Sequence, residues 1–148
     1  MATLIDKYRA TQRRLRKHFD PYTERICPEC PSPCCRKPTK VREFDVILAN
    51  TCGCALPSAN EAVRETVDAG IRSLVGEQIE DSKPEPCEYL GPDGCIFPDD
   101  LRPYECARWI CAFLKREIAP GEMGEIRRLL HRLSTLRREL VGAAGRHR

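Results

Sequence analysis

Four cysteines and three prolines fall within nine positions of this chain, in the stretch CPECPSPCC that runs from Cys27 to Cys35. Prolines at this density keep the backbone turned or extended, because each one fixes φ and removes a hydrogen-bond donor. The stretch therefore predicts a loop organised by its sulfurs. Three chemistries use cysteines at such density: a disulfide framework, a metal site and a reactive thiol.

The ten cysteines of the chain form two groups of four and one separate pair. The first group has the spacing Cys27-x2-Cys30-x3-Cys34-Cys35, and the second has the spacing Cys87-x7-Cys95-x10-Cys106-x4-Cys111. The pair is Cys52-x-Cys54. A C-x2-C turn can present two thiolates to one metal, and four thiolates satisfy tetrahedral zinc or hold an iron–sulfur cluster.

Adjacent cysteines such as Cys34 and Cys35 point in different directions along the chain. They do not easily share one mononuclear tetrahedral site, so we expect them to serve different metals or one polynuclear centre. The two groups of four would then interleave in space. All-sulfur ligation excludes the hard cations Mg²⁺ and Ca²⁺.

A disulfide framework is the less favoured interpretation, because the N-terminal segment lacks the apolar run of a signal peptide. No stretch approaches the length of a membrane span either. We therefore expect a cytoplasmic protein, and in a reducing compartment dense cysteines more often indicate metal or redox chemistry.

Taken together, three segments resemble the bacterial YkgJ-type cysteine-cluster family. They are Cys27-Pro-Glu-Cys30 with Cys34-Cys35, then Cys87-Glu-Tyr-Leu with Gly94-Cys95-Ile-Phe, then Arg102-Pro103-Tyr-Glu-Cys106 with Cys111. The first motif is one residue longer here than is usual in that family. The resemblance covers residues 27–111 and implies a zinc- or iron-chelating domain. It implies eight metal ligands, namely Cys27, Cys30, Cys34, Cys35, Cys87, Cys95, Cys106 and Cys111.

The sequence leaves more than one interpretation open for two features near the motif. Cys52 and Cys54 have no counterpart in the family pattern and are extra ligands, a redox pair or small buried side chains. Arg102 either hydrogen-bonds a cluster sulfur or a loop carbonyl, or forms an ion pair with Asp99 or Asp100.

The hydrophobic pattern predicts a mainly α protein, a small helical domain whose irregular cysteine-rich loops are organised by bound metal. We expect one domain over 1–148, with a core motif at 27–111 and flanking amphipathic helices at 3–19 and 122–141. Asp20-Pro21 should end the first helix and Pro120-Gly121 should precede the last. Between them we expect helices at 42–50, 59–75 and 104–117, a turn at Cys52–Cys54, and a short hairpin around Pro92–Gly94.

The last helix carries an apolar stripe that covers barely two and a half heptads: Ile126, Leu129, Leu133, Leu136 and Leu140. This length favours packing within the chain, with a homodimer through 122–141 as the alternative. His131 lies beside the stripe and is interpreted as a helix-surface residue.

Residues 1–19 carry six Lys or Arg and one Asp, and residues 121–148 carry seven Arg and three Glu. We interpret these basic ends as solvated helix faces, which disfavours a nucleic-acid partner. No nucleotide-binding loop and no Cys–His pair for a nucleophile is evident, so an independent enzyme is not favoured. The sequence predicts a metal-binding protein that chelates zinc or iron through the eight thiolates. The alternative is an iron–sulfur redox or accessory protein for a partner enzyme.

Overall fold

A computed structural model describes residues 2–30, 41–56, 87–92 and 94–146. The described part is mainly helical. Its helices are α1 (Leu4–Ile26), α2 (Glu43–Thr51), α3 (Tyr104–Ala107), α4 (Ala112–Glu117) and α5 (Pro120–Gly145), with a 3-10 turn at Cys27–Glu29. Two-residue strands β1 (Leu90–Gly91) and β2 (Gly94–Cys95) form an antiparallel hairpin. The predicted helix 59–75 lies outside the described residues.

The chain divides into two compact units. Unit 1 comprises residues 1–31 and 99–148, and unit 2 comprises residues 32–98. The prediction of a single domain over 1–148 stays a prediction. No helix among the described residues is long and apolar enough to cross a membrane.

Unit 1 is built on α1 and α5, which pack along each other. Arg14 of α1 pairs with Glu125 near the start of α5, whereas Leu4 lines a surface pocket with Arg138 near its end, so the two helices run antiparallel. All five residues of the predicted apolar stripe on α5 are buried, and so are Tyr8, Leu15 and Phe19 on α1. The stripe therefore packs within the chain, as favoured from the sequence, while the homodimer stays a prediction.

A capping box starts α1. The Thr3 hydroxyl accepts a hydrogen bond from the Asp6 amide at 3.1 Å, and the Asp6 carboxylate accepts one from the Thr3 amide at 2.9 Å. These two bonds satisfy amides that the first helical turn otherwise leaves unpaired.

The prediction that α1 ends at Asp20-Pro21 is wrong, since the helix continues through Pro21 to Ile26. A proline inside a helix removes one backbone hydrogen bond and crowds the preceding turn. Tertiary contacts hold the last turns in place. Tyr22 donates a hydrogen bond to Glu122 at 2.6 Å, and Arg25 pairs with Glu117 at 3.1 Å.

The predicted helix at 104–117 is interrupted. It forms as α3 and α4, and between them Trp109 and Ile110 are not helical. Cys111 is extended, with φ −71° and ψ 165°, and it caps the N-terminus of α4. A residue in that conformation cannot continue a helix.

Pro120 and Gly121, which were expected to precede the last helix, instead form the first turn of α5, because proline needs no amide partner at the first helical position. The same helix extends to Gly145, beyond the predicted end at residue 141. His131 is exposed on this helix.

Unit 2, in its described part, has a small apolar cluster of Val46, Ala49, Tyr89 and Phe97. The rings of Tyr89 and Phe97 meet edge to face, with their centroids 5.1 Å apart. The first two residues come from α2, whose bounds Glu43–Thr51 confirm the helix predicted at 42–50 to within one residue at each end. The predicted hairpin is also confirmed, with Leu90 opposite Cys95.

Candidate functional site

The two cysteines that follow α1 are held in a single tight turn. The Cys30 amide donates to the Cys27 carbonyl at 3.2 Å, and Pro28 lies in the first turn of the 3-10 segment. This is the turn that the C-x2-C spacing predicts. Cys27 is exposed and Cys30 is half-buried.

A carboxylate at the start of α5 fixes the end of α1 and thereby the position of this turn. Glu122 accepts the hydrogen bond from the Tyr22 hydroxyl, and its other oxygen lies 3.1 Å from Nδ1 of His18. The hydrogen bond from Tyr22, followed by that from His18, holds the pKa of Glu122 below its usual range. Glu122 thus remains an anion that ties α1 to α5 near Cys27.

Cys106 and Cys111 belong to the second chain segment of unit 1, residues 99–148. Cys106 is exposed on α3, and Cys111 is half-buried. The sulfur of Cys111 accepts a hydrogen bond from the Leu114 amide at 3.5 Å. This hydrogen bond fixes the position of the sulfur at the N-terminus of α4.

A buried amide anchors the segment that leads to these two cysteines. The side chain of Gln12, which is 1% exposed, donates to the Arg102 carbonyl at 2.8 Å and accepts from the Arg102 amide at 3.1 Å. Both polar groups of that peptide are thus satisfied by one side chain. Pro103 is buried directly after it.

Asp100 provides a second anchor for the same segment. Its Oδ2 accepts from Nε of Arg9 at 2.9 Å and from Nη1 of Arg13 at 2.6 Å. Burial raises the pKa of Asp100, but the hydrogen bonds from Arg9 and Arg13 outweigh it, so the pKa lies below its usual value. The guanidinium of Arg102 pairs with Asp99 at 3.2 Å. The sequence left open either such an ion pair or a hydrogen bond to a cluster sulfur or a loop carbonyl.

Sequence reasoning did not identify Gln12 or Asp100 as part of this framework. Gln12 carried a signal, since it lies four residues after Tyr8 and three before Leu15, on the apolar side of α1. A polar side chain on such a face needs a buried partner. The sequence does not reveal that the partner is a peptide group 90 residues away.

In unit 2, two of the cysteines follow α2. Cys52 is the C-cap residue of that helix, Gly53 has a positive φ of 96°, and the Cys54 amide donates to the Ala49 carbonyl at 3.1 Å. Gly53 is suited to this position because side chains rarely tolerate it. The predicted turn at Cys52–Cys54 is confirmed.

The other two described cysteines of unit 2 lie beside the hairpin. The Cys87 carbonyl accepts from the Leu90 amide at 2.8 Å, and Cys95 is on β2. Cys54, Cys87 and Cys95 all pack against the apolar cluster of this unit. Cys34 and Cys35 lie outside the described residues.

The structure thus divides the predicted ligands differently from the sequence groups. Cys27, Cys30, Cys106 and Cys111 belong to unit 1, whereas Cys87 and Cys95 belong to unit 2. All eight described cysteines are exposed or half-buried, and none is fully buried. Among the described residues, no three Cys, His, Asp or Glu side chains form a group that could hold a metal ion.

Comparison with known proteins identifies no relative. No protein family matches the chain, and neither a curated protein nor a solved structure is significantly similar to it. The resemblance to YkgJ-type proteins therefore stays a prediction from the sequence motifs.

Proposed function

We propose that this protein binds zinc or iron through cysteine thiolates, the iron either as ions or as an iron–sulfur cluster. The observation that carries the proposal is that all eight described cysteines are exposed or half-buried and lie in tight turns, at helix ends or on a short hairpin. Thiolates bind both metals, and short backbone turns are where natural sites place them.

The eight proposed ligands are those that the motif implies, including Cys34 and Cys35. The described thiols do not form a ready group of three, so the metal must draw the cysteine segments together or use the two thiols outside the described residues. Coupling of this kind is usual, because a metal site and the fold around it commonly form together.

We place the protein in the cytoplasm, where a reducing environment keeps thiols free. The second candidate function is that of an iron–sulfur accessory protein for a partner enzyme. Trp109, two residues before Cys111, is 49% exposed, and Phe113, two residues after it, is 41% exposed. Exposed tryptophans often anchor protein interfaces, which favours a partner beside this cysteine.

The test is elemental analysis and an absorbance spectrum of the full chain purified without oxygen. We expect bound zinc without visible absorbance, or iron with sulfide and a broad absorbance near ~400 nm, as thiolate-held clusters give. Cys95→Ser and Cys106→Ser should each lower the metal content. Metal-free protein from both zinc- and iron-supplemented cells would contradict the proposal.

A further inference from the structure

A surface pocket of about 440 Å³ lies between the first residue of α1 and the last three turns of α5. Pockets that bind small molecules commonly have volumes of about 300–1,000 Å³. We propose that this pocket binds a small phosphate monoester, whose phosphate group is held by two arginines. The lining residues are Leu4, Thr135, Arg138, Glu139, Gly142 and Arg146.

The two arginines lie on one side of α5. Thr135, Arg138, Gly142 and Arg146 follow one another at intervals of three or four residues, and this spacing places side chains on the same side of a helix. The Thr135 hydroxyl donates to the His131 carbonyl at 3.2 Å. The two guanidinium groups are therefore the side-chain donors that the pocket offers to a ligand.

Gly142 leaves space beneath one of these guanidinium groups. A Cβ atom added at Gly142 would lie 3.7 Å from Nη1 of Arg146, so the guanidinium lies over the bare backbone. Glycine is less favourable than alanine inside a helix. Helix formation therefore does not require a glycine at this position, whereas an open pocket does, because a larger side chain would enter it.

The charges of the two arginines are not matched by acidic partners. Neither Arg138 nor Arg146 forms an ion pair in the part of the chain that the structure describes, although Glu139 lines the same pocket. By contrast, Arg13 on α1 pairs with Asp100 at 2.6 Å. Both pocket arginines are exposed, so a dissolved ligand can reach them.

A phosphate monoester matches this arrangement in charge and in shape. It carries a charge of about −1.5 to −2 at neutral pH, which two guanidinium groups can balance. The planar N–H groups of arginine also bind pairs of phosphate oxygens. The Glu139 carboxylate repels a bare phosphate ion but can accept a hydrogen bond from a hydroxyl of the ester. We therefore expect an ester that carries hydroxyl groups to bind more tightly than inorganic phosphate.

Isothermal titration calorimetry of the full-length protein with glycerol phosphate tests this inference. The salt concentration is held at ~0.1 M, which screens exposed charges more than ~10 Å apart. We expect Arg138→Gln and Arg146→Gln each to weaken binding by about tenfold or more, the usual effect of losing a hydrogen bond to a charged group. Arg127→Gln and Arg132→Gln are the matched controls. They remove the same charge from exposed arginines of α5 that do not line the pocket, and they should bind as the wild type does.

Gly142→Leu keeps both arginines and fills the space between them. It should also weaken binding, with a helical content in circular dichroism equal to that of the wild type. Unchanged binding in Arg138→Gln and Arg146→Gln, or an equal loss in the two control variants, would overturn the inference. No binding by the wild type up to ~10 mM, far weaker than ordinary ligand affinities, would overturn it too.

Inorganic phosphate bound as tightly as glycerol phosphate would overturn the assignment of an ester. The pocket contains no cysteine, so none of these results bears on the proposed metal-binding function.

Discussion

At the scale of single residues, unit 1 is secured by a few polar side chains that hold the peptide segment before α3. Asp100 binds two arginines of α1, and Gln12 binds both polar groups of one peptide unit. A buried polar group contributes mainly by leaving no partner unsatisfied, so removing one member costs more than the bond itself contributes. These residues therefore fix the position of the segment that leads to Cys106 and Cys111.

The Asp100 carboxylate should make the stability of the protein depend on pH. Its pKa is lower in the folded protein than the ordinary value of 3.8. Its contribution is therefore present above that ordinary value and is lost as the pH falls through the folded pKa. We expect Asp100→Asn to lower the free energy of unfolding by about 1–3 kcal/mol near neutral pH, the usual cost of breaking hydrogen bonds to a charged group.

Urea unfolding at a series of pH values measures this effect. The difference between the wild type and Asp100→Asn should shrink below about pH 4, where carboxylates become protonated. Glu24→Gln, at an exposed carboxylate on α1, is the control and should change stability little at any pH. An equal difference at neutral and strongly acidic pH would contradict the assigned role of the ion pairs.

At the scale of elements, two prolines have opposite relations to their helices. Pro21 lies inside α1, where its ring and missing amide disfavour the helix, and Pro120 is at the start of α5, where neither matters. The sequence rule that proline ends a helix fails at Pro21. The turn that follows it is held by the hydrogen bond from Tyr22 to Glu122 and by the ion pair of Arg25 with Glu117.

Pro21→Ala should therefore stabilise the protein, since it restores a backbone donor inside α1. We expect a gain of about 1–2 kcal/mol, less than the ~3 kcal/mol cost of an interior proline because proline also restricts the unfolded chain. Thermal unfolding measures the change. Pro120→Ala is the matched control and should bring no gain. The prediction fails if both variants shift the midpoint equally, or if Pro21→Ala lowers it.

At the scale of the whole molecule, the two basic ends of the chain belong to one unit. Unit 1 carries 18 Lys or Arg and 11 Asp or Glu, whereas unit 2 carries 7 and 11. Several arginines of unit 1 are engaged by acidic partners, including Arg13 with Asp100 and Arg14 with Glu125. These arginines thus have acidic partners within unit 1, and the interpretation of the basic ends as solvated helix faces stays a prediction.

The two long helices and the cysteine segments give different expectations for metal removal. The apolar faces of α1 and α5 bury each other's side chains without any help from a metal. We expect a chelator to leave amide exchange slow in 4–26 and 120–145, and to speed it in 27–30, 87–97 and 106–111. Hydrogen exchange with mass spectrometry on the full chain measures this, and adding zinc back should restore the protection.

Loss of protection in α1 and α5 at the same rate as in the cysteine segments would show instead that metal is required for the whole fold. Unchanged exchange everywhere after complete metal removal would argue against any structural role for the metal.

Local chemistry explains which features could be predicted from the sequence. The turn at Cys27–Cys30, the turn at Gly53, the hairpin and the buried stripe on α5 each depend on residues only a few positions apart. Proline, glycine and hydrophobic period act over that range. The mainly helical character of the protein and the two basic helix faces follow from the same patterns.

Only the tertiary structure decided which distant segments meet. In the structure, α1 continues through Pro21, and the helix expected at 104–117 forms as two short helices. Cys54 packs against the same apolar cluster as Cys87 and Cys95. The first and the last of these outcomes depend on contacts between residues far apart in the chain, and the free energies of such contacts can exceed local preferences of about 1–3 kcal/mol. The sequence by itself determined that the chain carries closely spaced thiols in turns, whereas packing around Tyr89 and Phe97 decided which thiols are neighbours.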